Sequence, residues 1–113
     1  MPYRRGDVVL VRFPLADLVT YKKRPALVVQ DESVPTGFPQ RVVAKITSVP
    51  RTGPSRVPVA KHSLAGKAMG LLTDSVVVTD HLATIEDREI ARTLGRCPQM
   101  TSIDTALATT LGL

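Results

Sequence analysis

The chain has one cysteine, no tryptophan, two tyrosines and two phenylalanines among 113 residues, and each shortage removes a class of protein. A lone Cys97 makes no internal disulfide and no paired-thiol metal motif, so a reducing cytoplasm is the expected setting. With aromatics at 4%, the stacking platform of an RRM-type RNA reader is missing. No apolar run nears the roughly 20 residues that span a bilayer, so no membrane role is expected. The start, Met1-Pro2-Tyr3-Arg4-Arg5, is followed by no uninterrupted apolar segment of the secretory kind. There is no P-loop, dinucleotide-binding glycine fingerprint, HExxH or nucleophile elbow. His62 and His81 stand 19 residues apart, with no thiol or carboxylate at ligand spacing. Neither a metal nor a cofactor is therefore expected.

What is present is the composition of a folded protein: 43% hydrophobic and 22% charged. Residues 1–113 are expected to form a single domain around one core. The net charge of +5 hides an asymmetry. Residues 1–67 carry 12 Lys and Arg against 4 Asp and Glu, a net of +8, while residues 68–113 carry 3 against 6, a net of −3. The basic half is where a polyanion would bind.

Val8 to Val11, Ala26 to Val29, Val42 to Ile46 and Val76 to Val78 are short, β-branched runs that predict strands. Arg56 to Ala60 and Leu82 to Ile85 are candidates for two more. Prolines and glycines in 31–40 and 50–58 mark loops. Glu86 to Glu89 reads as a charged turn or one helical turn, Asp80-His81 as a solvated turn in preference to a site pair, and Ile90 to Gly95 as either a strand or a short helix. Thr101 and Asp104 stand at capping-box spacing before a helix whose apolar stripe is Ile103, Ala106, Leu107 and Leu111. Short strands followed by one helix predict a mainly β, α+β protein built on a small, strongly curved antiparallel barrel.

Two groups carry candidate chemistry. In Lys22-Lys23-Arg24-Pro25, the proline biases Arg24 toward an extended backbone at a loop-to-strand junction. An arginine held there matches two phosphate oxygens with its planar fork and stays charged at any working pH. In Lys45-Ile46-Thr47-Ser48, a strand delivers two hydroxyls as it enters the proline-rich loop. From residue types alone, a solvated charge run and a strand-forming threonine account for the same letters. Cys97 reads as a small, partly buried hydrophobe.

The stretches Gly6-Asp7 to Phe13-Pro14, Lys22 to Val29, Ala44 to Ser48, Gly70 to Leu72 through Ser75 to Val77, and Asp80 to Ile85 together resemble the MazF/PemK toxin endoribonucleases. The resemblance implies an SH3-like barrel of the PemK/MazF/CcdB type, a homodimer, and metal-independent cleavage of single-stranded RNA at short sequences, leaving a 2′,3′-cyclic phosphate. It places the catalytic pair on Arg24 and Thr47. RNA contacts then fall to Lys22, Lys23, Lys45, Ser48, Arg51 and Arg56, with Tyr21 able to stack on a base and Asp17 the one acidic candidate in the first loop. That loop, Ala16 to Tyr21, is bulkier than the small-residue versions common in the family. The implied partners are a cognate antitoxin with an acidic segment and, through their complex, operator DNA. A catalytically silent nucleic-acid-binding module and a gyrase-poisoning toxin are the alternatives on the same fold.

Overall fold

Apolar runs such as Val8-Val9-Leu10-Val11 fit strands buried on both faces better than the in-out alternation of a half-exposed sheet. The computed structural model, which describes residues 3–14 and 21–113 but not the side chains of Pro14 and Tyr21, has six strands among those residues. These are β1 (Asp7–Pro14), β2 (Tyr21–Val28), β3 (Gln40–Thr47), β4 (Arg56–Val59), β5 (Ser75–Glu86) and β6 (Ile90–Arg96). They form one sheet in the order β4-β5-β3-β2-β1-β6. Every pairing is antiparallel.

Both faces are apolar, and different elements cover them. The outer face presents Val8, Leu27, Ala44, Ile46 and Val77 to helices α1 (Leu64–Ala68) and α2 (Met100–Leu111), burying Met69 and Ile103. The inner face holds Val9, Val11 and Phe13 of β1 against Ala26, Val28, Val43, Ile85 and Ile90. The sheet curls strongly around this second core. β1 and β5 are separated by two strands, a spacing of about 14 Å in a flat sheet, yet the Phe13 and His81 rings stand 5.9 Å apart across the inner face. The expected barrel thus exists as a curled sheet whose inner side chains meet, with β4 and β6 at its edges.

Several local expectations are corrected. Val76 to Val78 and Leu82 to Ile85 belong to one twelve-residue strand, β5, and Asp80-His81 lies inside it rather than in a turn. The register explains the misreading: Lys45 pairs with Val78 while Ala44 pairs with Leu82, so Thr79, Asp80 and His81 bulge out of the ladder. The buried Thr79 anchors the bulge, its N–H and its hydroxyl both donating to Ser55 O, at 3.0 and 2.7 Å. Ile90 to Gly95 resolves as strand β6, after a 3-10 turn over Asp87–Glu89. α1 was not legible; it is five residues long, started by the Ser63 hydroxyl accepting from Gly66 N–H at 3.0 Å.

The C-terminal helix forms, but not through a capping box. Its N-cap is Gln99 without a side-chain cap, and Thr101 and Asp104 both lie within the helix. Asp104 instead pairs with Arg5. Ile103 and Ala106 are buried and Leu107 is half-buried, whereas Leu111 is exposed at 55%, so the stripe is one turn shorter than its sequence pattern.

Candidate nucleic-acid interface

Side-chain alternation along the strands sorts the candidates by face. Ala26 pairs with Lys45 on β3, and Ala26 lies in the inner-face core. Two residues further along each strand, in the same direction, stand Arg24 and Thr47, so both belong to the inner side at the end of the sheet. Val11 of the same core lies opposite Arg24 on β1. Phe13 of β1 and His81 of the β5 bulge close the opposite side of this mouth. Arg24, Lys45 and Thr47 therefore occupy the strands between two aromatic rings that touch.

The ion pairs show why this end is electropositive. Arg5, Arg12, Arg41, Arg56, Arg88 and Arg96 each meet a carboxylate: Asp104, Glu89, Asp87, Asp80, Glu86 and Asp7. Among the described residues, nine Lys and Arg meet none: Arg4, Lys61, Lys67 and Arg92 lie elsewhere, whereas Lys22, Lys23, Arg24, Lys45 and Arg51 gather on β2, β3 and the loop after β3. Lys22 and Lys23 are exposed, Arg24 and Lys45 half-buried. Lys45 is held below the ordinary lysine range by its burial first, then by Arg24 and Arg51. His81 is likewise held below the ordinary imidazole range, by burial and then by Lys45 and Arg51, with Asp80 opposing. These shifts report uncompensated positive charge in a partly desolvated pocket, a setting that an anion relieves.

Thr47 is buried and ends β3, its hydroxyl accepting from Val49 N–H at 3.1 Å. Since the oxygen is the acceptor there, its own proton remains to donate. Ser48 is exposed just beyond it. With Arg51 it lines a cleft of about 320 Å³ between the proline-rich loop and the start of β5, which Val59 and Ser75 also line.

Arg56 stands apart from the other predicted contacts. Nε and Nη2 donate to the two oxygens of Asp80 at 2.9 and 3.0 Å, and Nη1 donates to Thr52 O at 2.8 Å. Its fork is occupied, and it ties β4 to the β5 bulge. Asp17 lies outside the described residues, as does the side chain of Tyr21. Phe13 was missed as a site residue, and His81, a candidate site pair with Asp80 in the sequence, reads there as part of a turn. Neither carries a local signal, because their contact spans 68 residues of chain and exists only once the sheet curls. Among the described residues, no group of three or more His, Cys, Asp or Glu is placed to hold a metal ion. No described helix is long and apolar enough to cross a membrane.

Solved structures similar to the chain include an endoribonuclease in complex with its cognate antitoxin from a mycobacterial species. It is 27% identical, with a TM-score of 0.76 over 98% of this chain and 96% of that one. Mycobacterium tuberculosis toxin MazF-mt6 is 25% identical, with a TM-score of 0.75 over 95% of this chain and 97% of that one. MazF from Deinococcus radiodurans, at 22% identity and a TM-score of 0.76 over 100% and 99% of the two chains, shares the fold. No curated protein sequence matches the chain. A family model of PemK-like, MazF-like toxins matches residues 4–111, nearly the whole chain. The chain belongs to the PemK-like, MazF-like toxins of type II toxin-antitoxin systems.

Proposed function

We propose that this protein is the toxin of such a pair and an endoribonuclease that cleaves single-stranded RNA at short sequences. The observation that carries this reading is the set of cations at the mouth that meet no carboxylate among the described residues, Arg24 and Lys45 with Arg51, beside the hydroxyl of Thr47. Phosphodiester cleavage by the ribose 2′-OH places extra negative charge on the nonbridging oxygens as the fifth bond to phosphorus forms. Arg24 holds two of those oxygens through its fork, and Thr47 donates its hydroxyl proton to one of them. Lys22, Lys23, Lys45 and Arg51 attract the flanking phosphates, while Ser48, at the rim of the cleft, meets the nucleotide beyond the cut. The products are a 2′,3′-cyclic phosphate and a 5′-OH.

Residues 1–113 act as one toxin unit, a homodimer in the cytoplasm. The cognate antitoxin inhibits by laying an acidic segment along the same basic mouth, and the pair binds operator DNA through the antitoxin. The similar mycobacterial structure that holds a cognate antitoxin supports this partner.

The test incubates the purified protein with a defined single-stranded RNA in EDTA and reads cut sites and end groups by mass spectrometry. Cuts at a recurring short sequence with cyclic-phosphate ends, abolished by one 2′-deoxy substitution at the cut, are expected. Intact RNA, or a cut indifferent to that substitution, refutes the reading.

A further inference from the structure

The mouth contains one titratable group that phosphate clamping leaves unused. His81 rises from the β5 bulge, its ring edge-on to Phe13 at an interplanar angle of 89° and a centroid distance of 5.9 Å. Phe13 orients the imidazole while the side chain stays accessible. The charged groups facing it are Lys45 from β3, Arg51 from the loop after β3, and Asp80, its neighbour on β5. Asp80 is turned to Arg56 and to the Ser55 hydroxyl, which donates to it at 3.0 Å. The imidazole thus sits beside two cations and its neighbouring carboxylate is engaged elsewhere, an arrangement that favours its neutral form.

Attack by a 2′-OH needs a proton acceptor. Arg24 is unsuited, because a guanidinium stays protonated above pH 12. We propose that His81 is the general base of the RNA cleavage proposed above, on which this inference rests: its imidazole takes the proton of the attacking ribose 2′-OH. The 2′-oxygen then bonds to phosphorus and the bond from phosphorus to the 5′-oxygen breaks. The departing 5′-oxygen takes a proton from water, and the imidazolium returns its proton to the hydroxide so formed. No net proton or electron is consumed. Burial and Lys45 hold the imidazole below its ordinary range, so it is unprotonated at neutral pH.

The experiment measures single-turnover cleavage of a defined RNA from pH 5 to 9 for the wild type, His81→Gln and His81→Ala, with a melting curve of each variant. Binding of a non-cleavable 2′-O-methyl RNA is measured in parallel. General-base catalysis typically contributes about 10²- to 10⁴-fold. Both variants are therefore expected to bind the 2′-O-methyl RNA as the wild type does and to cleave at least about a hundredfold more slowly. The acid limb of the wild-type profile should vanish, and added imidazole should partly restore His81→Ala. If folded His81→Gln cleaves within about threefold of wild type with the acid limb intact, the role of His81 is overturned while the ribonuclease reading stands. If the wild type leaves RNA uncut, both fall.

Discussion

Replacing Gly95 by alanine tests how α1 is seated on the sheet. Gly95 lies in β6 opposite Val8, and a Cβ built there falls 2.2 Å from Ala68 O and 2.8 Å from Met69 C. Ordinary contact begins at 3.4 Å, so β6 and the end of α1 must part by about 1.2 Å. The atoms struck are backbone, and no rotamer change relieves them. Parting them loosens Met69, Ala65 and Leu71, which the same outer core buries. Overpacking typically costs 1–3 kcal/mol, and a backbone collision belongs at the upper end, about 3 kcal/mol. That is a large share of the roughly 5–15 kcal/mol that holds a domain folded, and about 10–15 °C in melting temperature at this length. Gly112→Ala is the control: Gly112 has φ +72° with nothing within 4 Å, so the substitution adds backbone strain alone, about 1 kcal/mol. Urea unfolding at constant m-value measures both. A Gly95→Ala protein within about 0.5 kcal/mol of wild type refutes the close approach of α1 to β6.

Thr47→Val removes the proposed phosphate donor and should slow single-turnover cleavage about 10²-fold, with Thr47→Ser recovering most of it; equal rates for valine and wild type would remove Thr47 from the chemistry. Lys22→Ala with Lys23→Ala should shallow the salt dependence of RNA binding by about 0.7 for each phosphate that the pair neutralises in the wild type. Arg56→Ala should lower the melting temperature and leave that slope unchanged, because its fork is held by Asp80. Stability should fall as pH drops from about 7.5 to about 5.5: His81 protonates near 6.5 in the unfolded chain but resists in the native one, so the unfolded state binds more protons there. In His81→Gln that part of the slope should be absent when urea midpoints are compared.

The curl of the sheet was foreseeable in kind, since runs such as Val8 to Val11 and Ala26 to Val29 need burial on both faces. Arg24 and Thr47 stand out through the resemblance; locally Pro25 speaks only for an extended backbone, and Arg24 stands inside β2 (Tyr21–Val28) rather than at the loop-to-strand junction expected, because β2 begins before the apolar run. What the letters hid was non-local. The bulge at Thr79 to His81 depends on register with β3 and on a bond to Ser55, 24 residues away, and without it His81 reads as a turn residue. The same holds for charge: Arg56 and Arg51 look alike in sequence, and only the fold shows that Asp80 neutralises one of them. The capping box fails because α2 begins at Met100, which puts Thr101 inside the helix, and Asp104 pairs instead with Arg5, 99 residues away.

The most direct measurement is single-turnover cleavage of one defined RNA by the wild type, Arg24→Lys and Arg24→Ala, each checked for an unchanged melting curve. Losing a bidentate clamp on the phosphorane should cost about 10²- to 10³-fold with alanine, and lysine, a point charge without the fork, should recover only a minor part. Folded Arg24→Ala that cleaves at the wild-type rate would contradict the account.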